Sequence, residues 1–234
     1  MKRSRNTVLL DFPISLEVDG LMKRAHVHLG GQDEKDFRRL VDLARQVGRP
    51  KAIYREAHLE NRGEGFIQAE GMIFRSSFLA RNMESTERFF AYVATCGMEM
   101  DEADPSRGDP LMAFWWDVLK GCLLNEAHRH LMEVIDRRHR LGKSVSMNPG
   151  SGDVHVWPIE QQRELFQLLG NVEEDIGVEL TPSFLMRPNK TISGVRFSTE
   201  RDFRSCQVCR RETCSSRSAP LDQKLWEELT GEHG

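Results

Sequence analysis

The chain has 234 residues, of which 39% are hydrophobic and 29% charged, and its formal net charge is −3. This composition is typical of a folded globular protein and excludes a mostly disordered chain. The small net charge gives no reason to expect a nucleic-acid partner, and no apolar run approaches the roughly 20 residues that span a membrane. Asp11 and Pro13 interrupt the mildly apolar N-terminus, so we expect no signal peptide and a cytoplasmic location.

The first part of the chain alternates between helical and strand patterns. Apolar residues recur every three or four positions over 33–50, which predicts a helix with Asp33 as its N-cap. Residues 50–74 alternate around a glycine-rich turn and predict two strands. A short helical segment then leads into the apolar run that contains Phe89 and Phe90, which predicts a further strand.

The second part contains the longest periodic segment, residues 109–140, which predicts a long helix ending in a basic turn. Residues 159–170 predict another helix, and 178–197 predict two strands around a proline-marked turn. Because helices and strands alternate without regular βαβ spacing, we expect an α+β fold with a largely antiparallel twisted sheet and flanking helices. We expect residues 1–200 to form this domain and 201–234 to form a Cys-rich C-terminal tail.

One stretch near the end of the predicted domain is distinctive. Residues 180–197, LTPSFLMRPNKTISGVRF, are similar to the motif LTxSFxMxPxxSVSGxxF of the activation (reactivation) domain of cobalamin-dependent methionine synthase. Upstream, Pro149 and Gly150 precede a segment, QRELFQLLG, that resembles that family's EKxxLFxLL helix, and Glu126 lies in an Asn-Glu-Ala step where the family has Ala-Glu-Ala. The resemblance covers most of residues 30–200.

The resemblance implies a specific function. Domains of this family bind S-adenosylmethionine and cap the cobalamin of another domain while an electron donor reduces inactive cob(II)alamin. The methyl group of S-adenosylmethionine then traps the reduced cobalt as methylcobalamin. Because this chain contains no cobalamin, folate or homocysteine module, we expect it to act in trans on a separate corrinoid-binding protein or cobalamin-dependent methyltransferase. The implied electron donor is a protein such as ferredoxin or flavodoxin.

The resemblance also implies binding residues. Glu126 matches a family carboxylate that contacts the methyl donor, and Pro149 and Gly150 align with the Pro-Gly of the family loop Arg-Pro-Ala-Pro-Gly-Tyr. The implied cofactor-binding residues are Glu126, Ser146, Asn148, Pro149, Gly150 and Ser151. Ser146 stands at the position of the family's arginine, and the bidentate guanidinium clamp that suits a methionine carboxylate is hard to replace with a hydroxyl. The loop could therefore be retained with a changed ligand.

Three cysteines of the tail form a C-x2-C-x4-C pattern, namely Cys206, Cys209 and Cys214. Thiolate ligands favour an iron–sulfur cluster, expected as [4Fe–4S], or zinc as the alternative. The tail has five arginines and two acidic residues over 201–217, a net charge of +3 that suits an anionic cluster. The alternative without a metal is three reduced cysteines in a flexible tail. The sequence does not identify a fourth ligand.

Other polar and aromatic residues have both structural and functional interpretations. Cys96 and Cys122 lie in apolar segments and are expected in the core rather than at the metal. His128 and His130 are two residues apart and so lie on different helix faces, which argues against a shared metal, and we expect both to be solvated. His155 and Trp157 follow the Pro-Gly loop, where they are candidates for contact with a corrinoid face.

Two functions therefore remain open. The first is reductive reactivation of a corrinoid protein, in which the chain caps cob(II)alamin and supports its reduction and its remethylation by S-adenosylmethionine. Such a chain would be a corrinoid reductive activase. The second is a non-catalytic corrinoid-domain-binding protein whose cysteines hold structural zinc. A dedicated S-adenosylmethionine methyltransferase is a third interpretation, which the missing loop arginine disfavours.

The tail cysteines generate the first prediction. Protein purified without oxygen should be brown and contain about four irons per chain, because three thiolates can hold a [4Fe–4S] cluster. The triple variant Cys206→Ala/Cys209→Ala/Cys214→Ala should be colourless. Iron, zinc and sulfide analysis with an absorption spectrum checks this. One zinc per chain without colour would indicate a structural zinc site. The absence of both iron and zinc would exclude metal binding by the tail cysteines.

Overall fold

The computed structural model of this chain describes residues 6–10, 12–151, 156–200, 204–213, 217 and 219–230. Within these ranges the strands are β1 (Thr7–Leu9), β2 (Lys51–Gly63), β3 (Phe66–Ala69), β4 (Met72–Arg75), β5 (Arg88–Thr95), β6 (Ser144–Met147), β7 (Glu179–Leu180), β8 (Met186–Arg187) and β9 (Thr191–Ser198). The helices are α1 (Val18–Arg24), α2 (Gln32–Val47), α3 (Ser77–Asn82), α4 (Glu99–Glu102), α5 (Pro110–His139), α6 (Gln162–Leu169), α7 (Val172–Ile176) and α8 (Gln223–Thr230). Short 3₁₀ helices span Ile159–Gln161 and Ser205–Val208.

Seven of these strands form one antiparallel sheet. Its order is β4-β3-β2-β5-β9-β6, and β1 pairs with the first part of β2. Strand β2 is long enough to pair with β5 through its first half and with β3 through its second half. Strands β7 and β8 form a separate two-stranded hairpin. The expected α+β architecture with a largely antiparallel sheet is confirmed.

Strand β5 lies in the middle of the sheet and is buried on both faces. Phe89, Ala91 and Val93 belong to a cluster that also contains residues of α6 and α7. The alternate residues Phe90 and Tyr92 belong to a second cluster with residues of α5. Because successive side chains of a strand point to opposite faces, this one strand requires helices on both sides of the sheet.

Helix α5 covers one face of the sheet and has clear start and stop signals. Asp109 caps it by accepting hydrogen bonds from the backbone N–H groups of Leu111 and Met112, at 2.8 and 3.2 Å. Pro110 occupies the first turn, where its missing N–H costs nothing, and Arg140 ends the helix in a left-handed conformation with φ of 52°. Among the described residues, no helix is both long and apolar enough to cross a membrane.

The predicted start of α2 is wrong in detail. The helix begins at Gln32 and its N-cap is Gly31, so Asp33 lies within the first turn instead of capping it. A side chain from the first turn does bind the backbone before the helix, since the Glu34 carboxylate accepts a 2.8 Å hydrogen bond from the backbone N–H of Gly30. The strand prediction for 50–74 also needs correction, because the structure forms three strands there.

The described part of the C-terminal tail packs against the main domain. Val208 and Trp226 are 0% and 2% exposed and belong to the same hydrophobic cluster as Phe89. Arg210 stacks over the Trp226 ring with its guanidinium carbon 4.4 Å from the ring centroid, and Glu228 forms a 3.0 Å ion pair with Arg81. The boundary after residue 200 stays a prediction, but the tail shares its apolar core with the domain.

The packing of Trp226 generates a stability prediction. Replacing it with alanine should lower the free energy of unfolding by about 3–5 kcal/mol, because the change removes a large buried side chain and leaves a cavity. Urea unfolding measures this. Leu221→Ala, at a half-exposed position of the same tail, is the control and should change the free energy by no more than about 0.5 kcal/mol. Equal values for the two variants would contradict the packing described here.

Candidate functional site

The first residues after β6, as far as Ser151, are fixed by contacts with several other parts of the chain. Strand β6 pairs with β9 so that Ser146 lies opposite Arg196. Beyond the strand, the backbone N–H of Gly150 donates to the carbonyl of Trp157 at 2.8 Å, and Pro149 is buried. Gly150 has φ of 73°, and a Cβ there would meet the side chain of Ile159 at 3.0 Å. The loop therefore requires glycine, while Gly150 and Ser151 remain exposed.

Asn148 connects this loop to the centre of the sheet. Its side-chain nitrogen donates to the Tyr92 hydroxyl at 2.9 Å and to the carbonyl of Ser193 at 2.6 Å. Tyr92 is fully buried, and burial raises the pKa of its phenol, an effect opposed by hydrogen bonds from Asn148 and Ser146 and by the charge of Arg196. The phenol is therefore protonated at neutral pH.

His128 of α5 lies on the other side of the Tyr92 hydroxyl. Its Nε2 is 3.4 Å from the Tyr92 oxygen, and the two rings are tilted at 37° with centroids 5.6 Å apart. Burial and the charge of Arg196 lower the pKa of His128, so the ring is neutral at neutral pH. The expectation that His128 is solvated is wrong, since the side chain packs on the sheet instead.

An ion pair between Arg196 and Asp136 completes the set of polar groups below the loop. We call this set, which also contains Tyr92, His128, Ser144, Ser146 and Asn148, the polar layer. Arg196 of β9 donates to both carboxylate oxygens of Asp136, with Nε–Oδ1 and Nη2–Oδ2 distances of 2.8 and 2.5 Å. The same guanidinium donates to Ser144 at 2.8 Å and to Ser146 at 3.2 Å. Helix α5 and strands β6 and β9 thus meet at one half-buried cation whose charge Asp136 already balances.

The polar layer extends to the far side of the sheet through Ser193 and Gln162. The Ser193 hydroxyl donates to the Gln162 side-chain oxygen at 3.1 Å, and the Gln162 nitrogen donates to the carbonyl of Phe184 at 3.1 Å. Ser193 and Gln162 are 3% and 4% exposed, so these hydrogen bonds form away from water. Buried polar chains of this kind are rigid because each group depends on its neighbours.

Glu126 does not lie in this polar layer. Its carboxylate pairs with Arg129 at 2.7 Å, and it lines a pocket of about 260 Å³ together with Arg24 and Cys122. Residues two positions apart in an α-helix are separated by about 200° around its axis, so Glu126 and His128 face different directions. The structure thus brings Ser146, Asn148, Pro149, Gly150 and Ser151 together and places Glu126 on another face of α5. The binding roles of these residues stay predictions.

The site contains residues that sequence analysis missed, namely Tyr92, Asp136, Ser193 and Arg196. A charged residue within the alternating strand pattern of β9 was the available signal for Arg196. Trp157 is 1% exposed and packs near Phe74, so it belongs to the core and the structure argues against it as a candidate for contact with a corrinoid face. His155 lies outside the described residues.

The predicted metal ligands are described only in part. Cys206 lies in the 3₁₀ helix Ser205–Val208, Cys209 follows it directly, and both are partly buried. Cys214 falls outside the described residues. Over the part of the chain that the structure covers, no three His, Cys, Asp or Glu side chains are grouped to hold a metal. The three-cysteine site therefore stays a prediction. Cys96 and Cys122 are buried in the core, as expected.

Comparisons with known proteins support the fold. No protein-family model matches the sequence, and no curated protein does so. Among solved structures, the crystal structure of the MetH reactivation domain bound to AdoHcy (S-adenosylhomocysteine) is similar, with a TM-score of 0.59. The two chains are 16% identical, and the match covers 87% of this chain and 81% of the other. This chain has the fold of that reactivation domain.

Gly194 generates a prediction about the polar layer. It lies opposite Tyr92 in the sheet, and a Cβ there would come within 2.5 Å of the Asn148 side-chain nitrogen and the Met147 carbonyl, and within 2.8 Å of the Tyr92 hydroxyl. Gly194→Ala should therefore lower the free energy of unfolding by about 2–4 kcal/mol, through overpacking and lost hydrogen bonds. Chemical denaturation measures the change.

Gly121 provides the matched control. It lies within α5, and a Cβ there would meet nothing within 4 Å. Gly121→Ala should raise the free energy of unfolding by up to about 1 kcal/mol, since alanine is the better helix former. If Gly194→Ala were as well tolerated as Gly121→Ala, the close approach of Asn148 to Tyr92 would be refuted.

Proposed function

We propose that this chain reactivates a cobalamin-dependent protein in trans, by capping its cob(II)alamin and supporting the reduction of the cobalt. The observation that carries the proposal is the fold, which matches the MetH reactivation domain over 87% of this chain. The 180–197 motif adds support, because its β9 portion supplies Ser193, Gly194 and Arg196 to the polar layer below the loop. The partner would be a corrinoid-binding protein or a cobalamin-dependent methyltransferase.

The candidate docking surface is the loop that contains Pro149, Gly150 and Ser151. Gly150 and Ser151 are exposed, whereas the groups beneath them are buried and hydrogen-bonded. A rigid floor below an exposed turn suits a cap, because little conformational entropy is lost when a partner binds to it. The proposed role of this loop is to contact the corrinoid or the methyl donor.

The methyl donor itself is the finer part of the proposal. The MetH reactivation domain structure contains AdoHcy. In this chain Ser146 stands where the related loop has arginine, yet the Arg196 guanidinium lies 3.2 Å from the Ser146 hydroxyl. Asp136 already binds that guanidinium through two oxygens, so a methionine carboxylate would have to compete with a protein carboxylate. We propose that S-adenosylmethionine binds at this loop, with an affinity that this competition lowers.

The tail cysteines would supply the electron path. Cys206 lies in the 3₁₀ helix Ser205–Val208, Cys209 directly follows that helix, and both are partly buried. Thiolates are suitable ligands for an iron–sulfur cluster. Together with Cys214 they would hold the cluster, which would pass single electrons from a donor such as ferredoxin or flavodoxin. Burial raises the pKa of Cys96 to about 12, which keeps its thiol protonated and makes it a poor fourth ligand.

One observation favours the second candidate function, a non-catalytic corrinoid-binding protein with structural zinc. The segment that carries Cys206 and Cys209 buries Val208 between them in the main core, and α8 buries Trp226 there. A metal bound to this segment would stabilise the attachment of the tail to the domain without any electron transfer. Metal content distinguishes the two functions, as described for the cysteine variants above.

The proposal predicts binding to a cobalamin-loaded partner. The probe is the cobalamin-binding module of a methionine synthase in its cob(II)alamin form, mixed with the full chain without oxygen. A complex should form and change the cob(II)alamin absorption spectrum, because a cap alters the coordination of the cobalt. Ser151→Arg should weaken the complex at least about tenfold, equivalent to about 1.4 kcal/mol, by placing a long charged side chain on the docking surface.

Ser106→Arg is the control, because it adds the same side chain four residues before helix α5 begins at Pro110, whereas Asn148 of the loop bonds Tyr92, which contacts His128 in the C-terminal half of that helix. It should bind the module like the unmodified chain. A titration of the chain with AdoHcy by calorimetry tests the methyl-donor part separately. If no complex forms with the module, the proposed function is wrong; if the complex forms but AdoHcy does not bind, only the methyl-donor part is wrong.

A further inference from the structure

Arg217 makes a set of contacts that the proposed function does not explain. One guanidinium nitrogen, Nη1, donates to the carbonyls of Cys206 and Ala219, at 3.2 and 3.3 Å. The other, Nη2, donates to the carbonyl of Cys209 at 3.1 Å and to that of Arg211. One side chain thus binds the backbone of both described tail cysteines at once.

The segment that Arg217 binds is also anchored from its other side. We call residues 205–209, which carry both cysteines, the cysteine turn. Val208 in this turn is fully buried in the core. The backbone N–H of Asp222 donates to the carbonyl of Gln207 at 2.7 Å, which joins the turn to the start of α8. The turn is therefore fixed by apolar packing through Val208 and by hydrogen bonds through Gln207, Cys206 and Cys209.

The chemistry of arginine suits this arrangement. A guanidinium is planar and carries five N–H donors in a fixed fork, so it can bind several carbonyls at set angles. Hydrogen bonds from a charged donor are stronger than those between neutral groups. A lysine ammonium offers three donors around a point and lacks the planar fork. These four carbonyls thus specify arginine more closely than they specify a positive charge.

We propose that Arg217 is a positioning residue that fixes the backbone of the cysteine turn, so that Cys206 and Cys209 form a preorganised pair for a thiophilic metal ion. This inference rests on the metal site of the proposed function and adds the residue that organises it. Preorganisation increases affinity because the conformational entropy of ordering the turn is lost on folding and not on metal binding.

The test is a metal titration of the full chain, prepared reduced and free of metal. Co²⁺ is the first probe, because its thiolate-to-metal absorption reports cysteine ligation directly, and Zn²⁺ is then measured by competition with a chelator. Arg217→Gln should weaken both metals about 10–100-fold, the usual effect of removing a group that orients metal ligands. Arg217→Lys should restore only part of the affinity.

Arg211→Gln is the matched control. It removes the same charge from the same segment, but its side chain is exposed, and the group that binds Arg217 is its backbone carbonyl, which the substitution retains. This variant should bind Co²⁺ and Zn²⁺ like the unmodified chain. Amide hydrogen exchange of the metal-free proteins provides a second readout. Exchange at the Gln207 and Cys209 amides, which donate to Arg204 and Cys206 carbonyls, should accelerate in Arg217→Gln only.

The outcomes separate this inference from the proposed function. If Arg217→Gln and Arg211→Gln bind metal equally well, Arg217 is not a positioning residue, and the metal site stands. If the unmodified chain shows no thiolate-to-cobalt absorption, both the metal site and the role of Arg217 are wrong, while the corrinoid-binding assay still decides the capping function. A lower urea midpoint with unchanged metal affinity would assign Arg217 a purely structural role.

Discussion

The structure depends on one strand that is buried on both faces. Seven of the eight residues of β5 are buried, and its alternate side chains enter two different hydrophobic clusters. Such a strand is stable only when helices cover both sides of the sheet, which explains the positions of α5 on one face and α6 on the other. It also buries the Tyr92 hydroxyl, and a buried hydroxyl needs a hydrogen-bond partner. Asn148 meets that need and thereby attaches the loop after β6 to the centre of the fold.

Two further features make this attachment specific. Gly194 leaves the space through which the Asn148 side chain reaches Tyr92, and Arg196 joins Asp136 to the serines of β6. The loop therefore lies above the polar layer, in which Arg196 and Asp136 pair their charges and most hydrogen bonds join groups of the protein. A cap built in this way would recognise its partner through the exposed Gly150 and Ser151 rather than through a free charge.

The tail that carries the predicted metal site is also attached to the centre of the fold by specific contacts. Apolar anchors at Val208 and Trp226 attach it to the domain core, and Arg217 binds the carbonyls beside Cys206 and Cys209. Under the proposed function, metal loading and the packing of the tail on the domain would be thermodynamically coupled, because both involve the same short segment. An oxidised or metal-free tail would then change the stability of the domain as well as its electron supply.

The sequence by itself determined helices α2, α5 and α6, strands β2, β5 and β9, the α+β class and the reactivation-domain fold, because apolar periodicity and the 180–197 motif are local signals. The Pro-Gly loop was located by its resemblance to the loop of that family, and the structure then showed the positive φ of 73° that Gly150 adopts there. Only the tertiary structure decided that Glu126 faces away from that loop, that His128 packs on Tyr92, and that Trp157 is core. Those outcomes depend on which helix face meets the sheet and on contacts between residues far apart in sequence, such as Asp136 with Arg196. No local pattern encodes such contacts, so they appear only when the chain is folded.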